Sequence, residues 1–425
     1  MDTKAFPLPV QSVLERFPIV FDGNRKGGEG TIGVAWAPDR VNLIGEHTDY
    51  NEGYVLPIAV DRVASFAGRR RLDKVVQLSS MHFHEGAQFS LEELPTVFDA
   101  LRRTLPSWAR YIMGVLTELQ RAGVELDGFD AVVGGDVPLG GGMSSSAALE
   151  VATVYLCSLL SEGRFTIGTQ GATLTPVEVA ALCQRAENNA TGLKSGILDQ
   201  AASCLGRPRQ ATFLDCRTLD YRYLPFDAPD FSLVVIDTGV RRELASSKYN
   251  ERRQQCEEAT GLLRDLVTQH EPGNIQAREI KTLRDITQEQ FERYKHNLPE
   301  VLRKRAGYVI AEDARVLHVV KLLEEGNIEA VGPILWAGHA GLRYEYEVSC
   351  EELDALVEIA QQVPGVLGGR MVGGGFGGCT VNLVRNEAAA ALKQAVEQHY
   401  PERTGREASV YISKAAGGPG QSWVE

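Results

Sequence analysis

Apolar positions along the 425-residue chain repeat with two periods, and the two alternate along its length. Val10, Val13, Leu14 and Phe17 recur at helical spacing and predict a short amphipathic helix. A charged, glycine-bearing turn at 22–30 leads into a strand at 31–36. Further strands are predicted over 62–69, 74–80, 129–133, 210–216, 231–236, 365–372 and 379–384. Helices are predicted over 108–119, 149–160, 176–191 and from about 244 onward. Thr175 and Pro176 supply an N-cap and a first helical position for the third of these. From 265 to 303 the pattern is polar and helix-biased, with no chemical motif, and reads as a peripheral helical insertion or cover.

Two stretches break this pattern. Val137-Pro138-Leu139-Gly140-Gly141-Gly142-Met143-Ser144-Ser145-Ser146-Ala147-Ala148 joins a strand-like run to a helix-like one. Three glycines remove every Cβ from the turn, so backbone N–H groups can approach a large anion at the positive end of a helix. The three hydroxyls add donors and possible Mg²⁺ ligands, although glycine-rich strand-to-helix turns also serve shape alone. The second stretch, 37–57, crowds Arg40, Glu46, His47 and Asp49 between apolar strands, with Pro38, Gly45 and Gly53 marking turns. Such a loop can present donors and acceptors to a hydroxyl-rich ligand, or its charges can pair with one another in solvent.

Single residues leave similar choices open. Trp108 opens a predicted helix and reads as a core residue or as a stacking platform for a base. Glu187 lies near a helix C-terminus, where the dipole disfavours a carboxylate; metal binding would supply a reason, and simple exposure is the alternative. Asp199 follows Gly192 and Gly196 and reads as a helix N-cap or as a functional carboxylate. Tyr249 sits about one turn into the long helix. Gly373 to Gly378 contains Gly-x-Gly-x-x-Gly, but it runs into a strand instead of opening a helix, so the dinucleotide interpretation fails on context. A tight turn between two strands fits better.

Composition narrows the class. With 44% hydrophobic and 24% charged residues the chain is ordinary globular material, long enough for two or three domains. A net charge of −12 offers no electrostatic footprint for nucleic acid or anionic lipid, so neither partner is expected. The seven cysteines are scattered and never form Cys-x-x-Cys, which points to reduced thiols. No apolar h-region follows Met1, and the most apolar stretch, 147–160, is short and contains Glu150; a soluble, cytoplasmic protein is expected. No Gly-Lys dipeptide occurs, which excludes the P-loop, and His-Arg-Asp and Asp-Phe-Gly are missing too.

Together these segments resemble the GHMP small-molecule kinases, and within them the galactokinases, along nearly the whole chain. The resemblance is carried by Arg40-Val41-Asn42-Leu43-Ile44-Gly45-Glu46-His47-Thr48-Asp49-Tyr50-Asn51, by 138–148, by 373–378 and by Ala245-Ser246-Ser247-Lys248-Tyr249. The first is highly specific; the glycine stretches alone indicate the superfamily. Met143 stands where the family usually has leucine, a conservative change. The resemblance implies an α/β fold of α+β type with two domains, ribosomal-protein-S5-like over 1–225 and ferredoxin-like over 226–425, and an active site between them. It implies that Gly140, Gly141, Gly142, Met143, Ser144, Ser145 and Ser146 wrap the phosphates of ATP, with Ser80 and Trp108 at the nucleotide. Ser146 and Glu187 would hold Mg²⁺. Arg40, Glu46, His47, Thr48, Asp49, Gly196, Asp199 and Tyr249 would hold galactose, with Asp199 and Arg40 as the catalytic pair.

The implied reaction is ATP-dependent phosphorylation of α-D-galactose at its C1 hydroxyl, giving galactose 1-phosphate and ADP, the first step of galactose catabolism. The alternatives are a kinase for N-acetylgalactosamine or another sugar, and a non-catalytic sensor of galactose and ATP. Ser145-Ser146-Ala147 is intact, which argues against the sensor. A monomer is expected, with a dimer as the alternative.

Overall fold

In the computed structural model, which describes residues 6–22, 30–138, 143–169, 171–226, 229–241, 245–271, 273 and 278–424, Val10, Val13 and Phe17 form the buried face of helix α1 (Leu8–Phe21). Strands β1 (Gly33–Asn42), β2 (Tyr54–Val55), β3 (Pro57–Arg70), β4 (Val75–Ser80) and β5 (Gly86–Ser90) follow. Helices α2 (Leu94–Thr104) and α3 (Ser107–Arg121), strand β6 (Phe129–Gly135) and helices α4 (Ser145–Leu160), α5 (Pro176–Thr191) and α6 (Leu198–Leu205) come next. Strands β7 (Gln210–Asp215), β8 (Tyr221–Pro225) and β9 (Phe231–Asp237) lead to helices α7 (Ala245–His270), α8 (Gln288–Tyr294), α9 (Glu300–Glu324), α10 (Val331–Tyr344) and α11 (Glu351–Gln361). The chain closes with β10 (Val366–Val372), β11 (Cys379–Arg385), α12 (Ala389–Thr404), β12 (Ser409–Ser413) and β13 (Gly420–Trp423).

Three sheets organise these elements. The largest has the order β13-β1-β3-β6-β4-β5, the second β10-β11-β9-β12, and the third β2-β7-β8. Only β4 and β6 pair in parallel; every other pairing is antiparallel. Helix α4 lies against β1 and β3, and α10 and α11 cover β10. The last strand, β13, returns from the 226–425 half of the chain to pair with β1, Gly33 facing Trp423. Among the described residues no helix is long and apolar enough to cross a membrane.

Two expectations change. Strand β1 does not end at 36 but runs to Asn42, because its ladder with β3 resumes beyond a bulge between Pro38 and Asp39. A bulge is where a strand tolerates proline, so Pro38 marks an irregularity and not a stop. The 265–303 segment is not peripheral. Ile280, Leu283, Ile286, Phe291, Tyr294 and Leu298 are buried in a second core with Tyr308, Tyr346 and Phe376. Arg284 also grips Asp215 through two hydrogen bonds of 2.9 and 2.7 Å, tying this segment to the β7 strand.

Helix α10 meets β10 almost backbone to backbone. A Cβ on Gly332 would stand 2.1 Å from the Leu367 carbonyl oxygen, so only glycine permits this approach. Gly332→Ala must push the helix off the sheet and is expected to cost about 1–3 kcal/mol, as overpacked positions do. Urea denaturation reads this as a lower midpoint at unchanged slope. An unchanged midpoint would show that helix and strand do not pack this closely in solution.

Candidate active site

A cavity of about 550 Å³, a size suited to small molecules, collects residues from six parts of the chain. Strand β1 supplies Arg40 and Asn42, two residues apart and therefore on one face. The next loop supplies Glu46, His47 and Asp49, the start of α4 supplies Ser145 and Ser146, and α5 supplies Glu187. Asp199 comes from α6, Tyr249 from α7, and the turn 373–378 closes one wall.

Asp199 is the junction. Its Oδ1 accepts from Arg40 Nε at 2.7 Å and its Oδ2 accepts from the Ser144 hydroxyl at 2.7 Å. Helix α6 begins at Leu198, so Asp199 lies in its first turn and is not its N-cap. Arg40 is buried; burial opposes its charge, but the charge and hydrogen bond of Asp199 outweigh this and hold its pKa above the ordinary value. Ser144 is the N-cap residue of α4, yet its side chain makes no capping bond. The first-turn amides of α4 are thus left for an anion.

Behind Ser144 lies a residue that the sequence analysis did not single out. Its backbone N–H donates to Asp39 Oδ1 at 2.9 Å, and the Asp39 carboxylate is buried. Ending β1 at 36 hid this contact, since residue alternation beyond that point was not considered. Burial, partly opposed by Arg40, pushes the Asp39 pKa up from 3.8 to about 7.

Glu187 is buried and not an exposed helix-end glutamate. Its Oε1 accepts from the Ser146 hydroxyl at 2.9 Å, and its Oε2 accepts from Ser195 at 2.8 Å and from Gln200 at 3.1 Å. Burial first, then the nearby Asp199 charge, raises its pKa. Among the described residues no group of three or more His, Cys, Asp or Glu could hold a metal ion. The Ser146 and Glu187 oxygens alone are a small, hard donor set, which fits Mg²⁺ that takes its other ligands from phosphate and water.

The loop after β1 is fastened from several sides. Glu46 Oε2 stands 2.5 Å from Arg370 Nη2, an ionic contact without hydrogen-bond alignment, and Arg370 Nη1 donates to Glu312 at 2.9 Å. Burial lifts the Glu46 pKa to about 7 against the pull of Arg370. His47 takes a left-handed φ of 64°, and its Nδ1 is 2.8 Å from the Tyr50 hydroxyl. Burial and then Arg252 and Arg370 push its pKa down to about 3, so the ring is neutral near pH 7. Tyr249 and Tyr50 flank it, each with a ring centroid 5.3 Å from the other's, in one aromatic cluster. Asp49 packs so closely on Gly196 that a Cβ there would lie 1.9 Å from its Oδ2. Burial and then Asp199 raise the Asp49 pKa to about 6.

Arg40, Glu46, His47, Asp49, Met143, Ser144, Ser145, Ser146, Glu187, Gly196, Asp199 and Tyr249 therefore all line one cavity. Three expected contacts are corrected. Thr48 does not line it; its buried hydroxyl donates to the carbonyls of Gly45 and Tyr54, at 2.8 and 2.7 Å, and pins the loop. Ser80, buried at the end of β4, does not line it either and accepts from the Phe83 N–H at 3.3 Å. Trp108 is packed into the core with its indole N–H donating to Glu85 at 2.9 Å, also outside the cavity wall. Gly140, Gly141 and Gly142 lie outside the described residues. Arg370 and Glu312 were missed because nothing local distinguishes them; only their partners do.

Comparison with known proteins bears on this arrangement. The chain matches the galactokinase galactose-binding signature over residues 24–70, the GHMP kinases N terminal domain over 110–207 and the GHMP kinases C terminal over 319–402. It is 40% identical over 388 residues to a galactokinase of Roseiflexus sp. (strain RS-1), covering 91% of this chain and 92% of that one. The chain belongs to the galactokinase family of GHMP kinases. It is a sugar kinase, a phosphotransferase that uses ATP as co-substrate. The galactokinase of Homo sapiens is likewise 40% identical over 397 residues, covering 92% of both chains. The crystal structure of Lactococcus lactis galactokinase complexed with galactose superposes with a TM-score of 0.83 at 35% identity, covering 96% of this chain and 98% of that one. A Methanococcus jannaschii mevalonate kinase shares the fold, with a TM-score of 0.61 at 16% identity and coverage of 92% and 99%.

The buried Asp39 makes the stability of this galactokinase-family chain depend on pH. Between its unfolded pKa of 3.8 and its folded value of about 7, the folded state holds a proton that the unfolded chain has lost. This group therefore subtracts stability as pH rises through that window. Asp39→Asn keeps an acceptor for the Ser144 N–H and removes the titration. Its stability relative to the parent is expected to rise between pH 5 and pH 7 by at least about 1.4 kcal/mol, one pKa unit's worth. Urea denaturation at several pH values checks this, and a difference independent of pH would show that Asp39 takes up no proton on folding.

Proposed function

We propose that this cavity transfers the γ-phosphoryl group of ATP to the C1 hydroxyl of α-D-galactose, giving galactose 1-phosphate and ADP. The observation that carries this proposal is Asp199, held between Arg40 and Ser144 where the sugar loop meets the serine turn. Galactose would lie against Glu46, His47, Asp49 and Tyr249, with its C1 hydroxyl at Asp199. Asp199 orients that hydroxyl and accepts its proton as the oxygen attacks. Arg40 neutralises charge that develops in transfer, and the α4 N-terminus with the serine turn faces the phosphates. A loose phosphoryl-transfer transition state asks chiefly for such alignment and charge neutralisation, with no covalent enzyme intermediate. Ser146 and Glu187 would hold Mg²⁺, which when bound neutralises phosphate charge.

A coupled ADP-release assay with galactose, N-acetylgalactosamine and glucose tests the proposal. Preferred turnover of galactose is expected; equal or faster turnover of N-acetylgalactosamine would overturn the substrate. Binding of both galactose and ATP without ADP release would overturn catalysis.

Two variants probe the roles. Asp199→Asn, nearly identical in shape, is expected to fold and bind both substrates while losing about 10²–10⁴ in kcat, the usual loss for a general base. Single-turnover kinetics within a few-fold of the parent would leave positioning and electrostatics to carry the reaction. Glu187→Gln weakens the charged metal ligand, so its activity is expected to need far more Mg²⁺. A Mg²⁺ dependence that overlays the parent's would make Glu187 a structural acceptor for Ser146, Ser195 and Gln200.

A further inference from the structure

Asn42 is the one residue on the β1 face of the cavity whose chemistry the proposal above does not use. Its side chain is buried, with 1% exposure, and lines the cavity beside Arg40. Neither its Nδ2 nor its Oδ1 has a hydrogen-bond partner among the described residues. A buried amide left without partners is costly, and native structures rarely keep one unless something else completes it. The backbone of Asn42 is already committed, in the last register pair of β1 with β3, opposite Pro57. The open valences therefore belong to the side chain alone.

Position and chemistry select what completes them. Arg40 faces Asp199, which in turn holds Ser144 of the phosphate turn. Asn42 stands one strand repeat, about 7 Å, further along β1 toward the loop that carries Glu46, His47 and Asp49. A phosphate oxygen only accepts, so it would satisfy Nδ2 and leave Oδ1 unpaired. A hydroxyl both donates and accepts, and a carboxamide can give it one bond and take another, either from the same hydroxyl or from two neighbours.

We propose that Asn42 is a substrate-binding residue whose side-chain amide pairs with a hydroxyl of the bound sugar. The proposal rests on the sugar-kinase function of the same cavity and adds a contact on the β1 wall, opposite those from the loop and Tyr249. It makes Asn42 a determinant of which hydroxyl pattern is accepted, because removing the partner hydroxyl would leave the buried amide unsatisfied again.

The test pairs Asn42→Ala with a set of mono-deoxy galactoses. Wild-type turnover of galactose reports on the function itself, while the ratio of wild-type to variant kcat/KM across the set reports on Asn42 alone. With galactose the ratio is expected to be about 10- to 100-fold, the loss of one or two buried hydrogen bonds, with the KM for ATP changed by less than about threefold. With the deoxy sugar that lacks the partner hydroxyl, the ratio is expected to collapse to about twofold, since neither enzyme can make the bond. Should the alanine variant not fold, as read by thermal unfolding, Asn42→Asp keeps the shape and asks the same question across the same sugars. A ratio that stays constant across all the deoxy sugars would overturn the proposal. So would an effect confined to the KM for ATP, which would place the amide on phosphate.

Discussion

One buried guanidinium holds the sugar-facing side of this protein in place. Arg370 is fully buried on β10, between Glu46 of the loop after β1 and Glu312 of α9. Glu312 also accepts from the Gly45 N–H at 3.1 Å, and the Tyr308 hydroxyl donates to the Glu46 carbonyl at 3.1 Å. A loop with a left-handed residue at His47 has no ladder of its own, so these contacts take the place of secondary structure. Two carboxylates around one cation also explain why Glu312 stays below its ordinary pKa, despite burial, while Glu46 is lifted. Breaking a buried pair of this kind by removing one partner typically costs about 3–5 kcal/mol, because the remaining charge keeps its desolvation penalty.

On the other side of the cavity the same economy recurs with Asp199 at the centre. Arg40 and Ser144 fill its two oxygens, and Ser144 is held in turn by Asp39 through its backbone. The result is a hydrogen-bonded chain from the interior of β1 to the mouth of α4, which fixes the carboxylate without occupying the helix amides. Such preorganisation means that little rearrangement is needed when charge shifts during transfer. The cost is carboxylate crowding: burial raises the pKa values of Asp39, Glu46, Asp49 and Glu187 together. A cavity of this kind favours ligands that bring cations or hydroxyl donors.

Much of the site was legible because its signals are local. The capping box of Thr175 and Glu178 needs only four consecutive residues, and it starts α5 where expected. The 373–378 turn was recognisable because glycines followed by a strand cannot open a helix, and β10 and β11 do pair around it. Arg40, Glu46, His47 and Asp49 announced themselves as charged and polar residues crowded between apolar strands. The serine turn did so by glycines and hydroxyls together. In each case a few neighbouring residues determine the backbone shape or the available chemistry.

Tertiary structure decided the rest. Whether β1 stopped at 36 or ran to Asn42 depended on a partner strand that could carry the ladder past Pro38. Trp108 kept two readings until Glu85 took its indole N–H, and Ser80 and Thr48 were assigned by which carbonyls or amides they met. The segment at 265–303 looked peripheral by polarity, yet its few apolar residues are the ones that find Tyr308 and Tyr346. Arg370 is an unremarkable residue in a glycine-rich strand until the fold brings Glu46 and Glu312 to it. Propensity and side-chain chemistry belong to short stretches of chain, so sequence alone determines them. Burial, and the choice of partner for a buried charge, belong to contacts between distant segments, which exist only once the chain has folded.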